Sequence, residues 1–216
     1  MRRAMHYDAT GTALVVVDPY NEMLAEGGKV WPRLREVAER VGTREHLEQL
    51  LTAARQAGIP VMYAPHRRWR PGDGAGWQHT PRPHGAVVQA HLFAEGSFGG
   101  RWYAPLAPGD SDVVAYEHWG MSGFANTDLD LQLRMRGIER VIIAGMTAPG
   151  CVEGTARHAM ELGYLVTLVT DATAAYSNEL MNAAHHLNGP LFAEHILTTQ
   201  EVITALAGTP TAGDGH

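Results

Sequence analysis

The stretch Glu139-Arg-Val-Ile-Ile-Ala-Gly-Met-Thr-Ala-Pro-Gly-Cys-Val-Glu153 decides how this chain folds. Val141 to Ala144 is apolar without alternation and rich in β-branched residues, the pattern of a strand buried on both faces of a parallel sheet. Gly145, Pro149 and Gly150 shape a tight turn after it, and Val152 to Leu162 reads as a helix. Cys151, the only cysteine in 216 residues, stands where that helix begins. Unpaired N–H groups and the helix dipole at such a place favour a thiolate. A lone cysteine elsewhere is most often a small buried core residue. The strand–turn–helix setting makes this one a candidate nucleophile.

Outward from this stretch the same alternation repeats. Further strands are expected at Ala13–Val17, Ile59–Tyr63, Asp112–Tyr116, Leu165–Val169 and His195–Thr198. Helices are expected at Arg33–Ala57 with a break near Gly42, at Thr127–Arg136, at Asn178–Leu187 and at Glu201–Leu206. Thr127 with Asp130 three residues later resembles a capping box. Residues 65–111 form a long segment rich in Gly, Pro, His, Arg and Trp, with one helix from Gly85 to Phe93. A loop of that length in a compact domain is usually functional or a contact surface. The expected fold is a single-domain α/β arrangement, a six-stranded parallel sheet with helices on both faces, over residues 12–207. Residues 1–11 would be an N-terminal arm and 208–216 a flexible tail. Ligands of such sheets sit beyond the carboxyl ends of the strands, at a topological switch point. Asp18, His66, Glu117, His118 and Cys151 all fall at strand ends on that edge.

Composition narrows the function classes. A net charge of −6 without a clustered basic face argues against nucleic-acid binding. No apolar run approaches the roughly 20 residues that cross a bilayer, so no membrane partner is expected. The N-terminus lacks the apolar core of a signal peptide, and one cysteine cannot form an intrachain disulfide. A cytoplasmic protein is the expectation.

Val15-Val-Val-Asp-Pro-Tyr-Asn21, Ser122-Gly-Phe-Ala-Asn-Thr-Asp-Leu-Asp130, Gly145 to Glu153 and Glu161 to Ala172 together resemble the motifs of the isochorismatase-like cysteine hydrolases. The resemblance runs from about Thr12 to Leu206. It implies the same six-stranded, three-layer fold and hydrolysis of C–N bonds in small amides, ureides or lactams. The family's catalytic set is Asp, Lys and Cys. Asp18 matches the first and Cys151 the third, through a covalent acyl intermediate. The lysine is missing. Its place falls on Glu117, or on Tyr116 if the register shifts by one, and His118 could instead form a Cys–His pair. Lys29, the only lysine, lies in the loop after the first strand.

By the same resemblance, the amides of Thr147 and Cys151 form the oxyanion hole, and a cis peptide joins Met146 to Thr147. Tyr20, Asn21, His66, His118, Trp119 and Phe124 are candidate substrate contacts around the pocket. Nicotinamidases of this superfamily hold a metal with an Asp and two His after the second strand. Ala64-Pro-His-Arg-Arg-Trp69 lacks that spacing, so no metal and no cofactor are expected. The family is often oligomeric, and a homo-oligomer is expected. Two other readings stand beside the amidohydrolase. One is cleavage of a vinyl ether with Asp18 as general acid. The other is a non-catalytic member that binds a metabolite.

Overall fold

A computed structural model describes residues 7–207. Six strands lie in one sheet: β1 Thr12–Val17, β2 Val61–Ala64, β3 Val113–Val114, β4 Arg140–Met146, β5 Leu165–Ala174 and β6 His195–Leu197. Their order is β3-β2-β1-β4-β5-β6, and every pairing is parallel. The chain builds outward from β1 to one edge, returns to β4, and builds to the other edge. The switch point therefore lies between β1 and β4, where Val17 pairs with Gly145.

Residues of β1 alternate between two cores. Leu14 and Val16 pack with Leu34 and Val37 of the helix Trp31–Val41 and with Leu47, Leu50 and Leu51 of the helix Thr43–Gln56. Ala13, Val15 and Val17 pack with Leu129 and Leu133 of one helix (Leu129–Arg134) and Ala156 and Ala159 of another (Glu153–Glu161). Both faces are covered, which is why the strands read as unbroken apolar runs. Among the described residues no helix is long and apolar enough to cross a membrane.

Several boundaries differ from the sequence reading. The third strand is only Val113–Val114, because it is an edge strand with a single neighbour, β2. The fifth extends to Ala174 past an irregularity opposite Ile143–Gly145. Thr127 does not make the capping box: its hydroxyl donates to the Gly123 carbonyl and accepts from the Leu129 amide, while Asp130 pairs with Arg134. The helix in the long segment is Arg82–Ala90. Lys29 closes its end by donating to the Ala90 and His91 carbonyls at 2.8 and 3.1 Å. Of the expected arm, Tyr7 is buried, with its hydroxyl 2.7 Å from Thr167 Oγ1. The expected tail, and residues 1–6, lie outside the described residues.

The end of β4 can be built only with glycine at its next-to-last residue. Gly145 has φ +116°, and a Cβ there would lie 2.1 Å from the Val17 carbonyl oxygen. This close approach holds the ends of β1 and β4 together.

Candidate active site

Asp18 ends β1 with φ +50°, a left-handed conformation rare outside glycine, and its amide donates to the Ala64 carbonyl at 3.2 Å. Beyond β4 the Met146–Thr147 peptide is cis. A single π-helical turn, Ala148–Val152, then leads into the helix Glu153–Glu161. The Gly150 and Val152 amides donate to the Thr147 carbonyl at 3.0 and 3.2 Å, which folds the turn around Cys151.

His118 reaches the same edge through a bulge. Tyr63 pairs with Val114, but the next pairing beyond the strands joins His66 to His118. Three residues on the β2 side thus face four on the other, so one residue is extra. Tyr116, 71% exposed, swings out, and its amide donates to Asp128. Because side chains alternate with period two, the insertion turns His118, in place of Glu117, toward the switch point.

His118 and Asp18 are both fully buried, with Nε2 3.0 Å from Asp18 Oδ1. His118 Nδ1 lies 2.9 Å from the Gly120 carbonyl oxygen. The Cys151 thiol faces the same oxygen at 3.9 Å. Donor atoms of Asp18, His118 and Cys151 lie within 4.8 Å of one another. Asp18 Oδ2 has no hydrogen-bond partner and is the free acceptor of the cluster. Burial, and then the charge of Asp18, push the Cys151 thiol well above its ordinary value, so the resting sulfur is protonated. For His118, burial opposes the charged ring. The Asp18 charge and hydrogen bond and the bonds to Gly120 and Ala64 outweigh it and raise the ring above the ordinary histidine value. This is the one group among the described residues whose donor atoms crowd closely enough to bracket a cation. Asp18 and His118 hydrogen-bond each other within it, and the thiol stands beside them. The arrangement is that of a proton network.

Glu117 lies elsewhere, contrary to the sequence expectation of a catalytic carboxylate. It accepts from Arg68 Nε and from the Arg68 amide at 3.2 Å, and Arg67 lies 3.6 Å away. Arg67 also pairs with Asp73 at 3.0 Å, and Arg70 with Glu95 at 2.7 Å. The Glu117 pairs tie the long segment to the sheet edge, and the other two brace the segment itself. Glu117→Gln is expected to lower stability by about 1–3 kcal/mol, as loss of a largely buried charged acceptor does. The same change should leave alkylation of Cys151 by iodoacetamide within about twofold of wild type; thermal unfolding and labelling rates check the two halves.

The other expected contacts divide. Trp119 lines a cavity of about 560 Å³ with Trp77, His79 and His84, and Arg67 lies over its ring at 5.0 Å. His66 is buried, stacked on Phe93 and edge-on to His118 with ring centroids 5.1 Å apart. Tyr20 and Asn21 have their polar ends engaged within the protein. The Tyr20 hydroxyl donates to the His66 carbonyl at 3.1 Å while its ring stacks on Trp102, and Asn21 Nδ2 donates to the Phe98 carbonyl at 3.1 Å. They position the walls. Phe124 is a core residue packed against Tyr164 and His158.

Sequence reasoning missed Glu22. It is 1% exposed and accepts from the Lys29 amide at 2.6 Å and the Phe93 amide at 2.8 Å. It ties the loop after β1 to the long segment. A Cβ at Gly99 would lie 2.5 Å from its carboxylate, so the long segment passes close over it.

Residues 12–201 match the isochorismatase domain. The ureidoacrylate amidohydrolase RutB of Rhizobium rhizogenes is 32% identical over 193 residues, covering 85% of this chain and 73% of that protein. RutB of Acinetobacter baylyi is 30% identical over 202 residues, covering 89% and 82%. Among solved structures, a cysteine hydrolase from Pseudomonas syringae pv. phaseolicola superposes with a TM-score of 0.77 at 26% identity, covering 96% of this chain and 99% of that one. N-carbamoylsarcosine amidase from Thermoplasma acidophilum gives 0.64 at 26% identity, covering 87% and 95%. With Asp18 and Cys151 meeting at the switch point of such a sheet, the chain belongs to the isochorismatase family and is an isochorismatase-like amidohydrolase, a hydrolase of C–N bonds in small metabolites.

Proposed function

We propose that this enzyme cleaves a small amide or ureide through a covalent acyl-Cys151 intermediate. The observation that carries this reading is the unpartnered Asp18 Oδ2 in a buried cluster with the only thiol of the chain. Asp18 takes the thiol proton as sulfur attacks the substrate carbonyl. The oxyanion forms beside the amides of Thr147 and Cys151, at the turn that opens a helix, where negative charge is best held. The proton on Asp18 then passes to the leaving nitrogen, and the C–N bond breaks. Water, deprotonated by the same carboxylate, releases the acid and restores the thiol.

The substrate class follows from two things. The named relatives act on a ureido compound and an N-carbamoyl compound. Trp77, His84 and Trp119, the last next to His118 in sequence, wall a cavity suited to a planar group. A ureide or amide with a planar acyl part fits both. The test is a panel of amides and ureides with intact-protein mass spectrometry after rapid acid quench. Turnover with an acyl-sized mass gain on the peptide that carries Cys151 is expected. Hydrolysis with no adduct in any quenched sample, and full activity after Cys151 is alkylated, would sink the proposal.

A further inference from the structure

We propose that His118 stands as an imidazolium at neutral pH, the cation that serves this site where its family uses lysine. The inference rests on the reading of Cys151 as nucleophile but concerns a different group. Both ring nitrogens face acceptors. Nδ1 lies 2.9 Å from the Gly120 carbonyl oxygen, which can only accept, so Nδ1 carries a proton. Nε2 lies 3.0 Å from Asp18 Oδ1, and a carboxylate likewise only accepts. With both nitrogens donating, the ring is positively charged.

The surroundings support one cation and no more. From the end of β1, Asp18 supplies the counter-charge. From the end of β2 comes His66, its ring edge-on to that of His118. His66 is lowered by burial, partly offset by Asp18 and reinforced by His118. Its Nδ1 donates to the Arg67 carbonyl at 3.0 Å. From the turn after β4 comes the Cys151 thiol, and from the long segment His84, beside Gly120. Glu117, next to His118 in sequence, is answered by Arg67 and Arg68.

The role follows from charge conservation. When the thiol ionises, the S–H bond breaks and an O–H bond forms on Asp18. One negative charge moves from carboxylate to sulfur, and the imidazolium keeps its two protons. It attracts that charge at both ends of the transfer, so thiolate forms without a net charge being buried. A lysine does the same but stays charged across the working range. An imidazolium does not. The cation is present below the raised value of His118 and is lost as pH rises through it. Turnover should therefore carry an alkaline limb set by His118.

The experiment is nitrogen NMR of uniformly ¹⁵N-labelled enzyme in EDTA, from pH 5 to 9, with His118→Gln used to assign the ring. Two protonated nitrogens at pH 7 are expected. A ring with one bare nitrogen at pH 7, the proton then resting on Asp18, overturns the proposal. A second arm follows iodoacetamide labelling of Cys151. His118→Gln should label about tenfold more slowly at pH 7, one unit of thiol acidity, and His118→Lys should recover to within about threefold. Equal labelling of wild type and His118→Gln also overturns it. Failure of the nucleophile reading looks different: Cys151→Ala would remain active whatever the state of the ring.

Discussion

Cys151→Ala is expected to cut turnover of the best panel substrate by about 10⁴–10⁶, the loss seen when the nucleophile of a covalent mechanism is removed. The residual rate would come from substrate binding and the oxyanion site alone. No side chain near the cluster can replace the sulfur. His118 has both nitrogens engaged, and Asp18 is itself the proton acceptor. The fold should survive, because the change removes one sulfur atom at the edge of a core that includes Val152 and Ala156. Substrate should still bind, and the acyl adduct should vanish from the mass spectrum. Turnover by the alanine variant within tenfold of wild type would mean that Cys151 is not the nucleophile.

Asp18→Asn is expected to lower turnover by about 10²–10⁴, the usual contribution of a positioned general base. The amide keeps the shape of the carboxylate and loses its basicity. The variant should also be less stable by about 3–5 kcal/mol, because His118 loses its buried counter-charge. A third readout separates chemistry from structure. The Asp18 charge opposes the thiolate, after burial the largest cause that holds Cys151 up. Its removal should speed alkylation of Cys151 by iodoacetamide while turnover falls. Slower turnover with slower alkylation would point to a distorted site, and unchanged turnover would remove Asp18 from the mechanism.

Much of this architecture was legible because it depends on short-range pattern. The strands around Val15, Met62 and Ile142 are buried on both faces, so they read as unbroken apolar runs. Asp18 and Cys151 close two of those runs, and the parallel topology sends both to one edge. Gly145 announced the turn between strand and helix. The long segment's weight of Arg, Trp and Gly marked it as unusual, although its ion pairs with Asp73, Glu95 and Glu117 could not be foreseen.

The third site residue was a different kind of question. Counting by twos from Ala115 aims Glu117 inward. The extra residue that turns His118 there exists only in the pairing of one strand with another, about 50 residues away in the chain. Phe124 was misplaced for a similar reason, since whether an aromatic lines a pocket or fills a core depends on which face of the sheet receives it. Buried Glu22 left no local mark at all. Sequence by itself therefore determined the layered fold and the strand ends that carry Asp18 and Cys151, through periodicity and the positions where strands end. Tertiary structure alone decided which neighbour completes the cluster, because a β-bulge is a property of two strands in register and one strand cannot encode it.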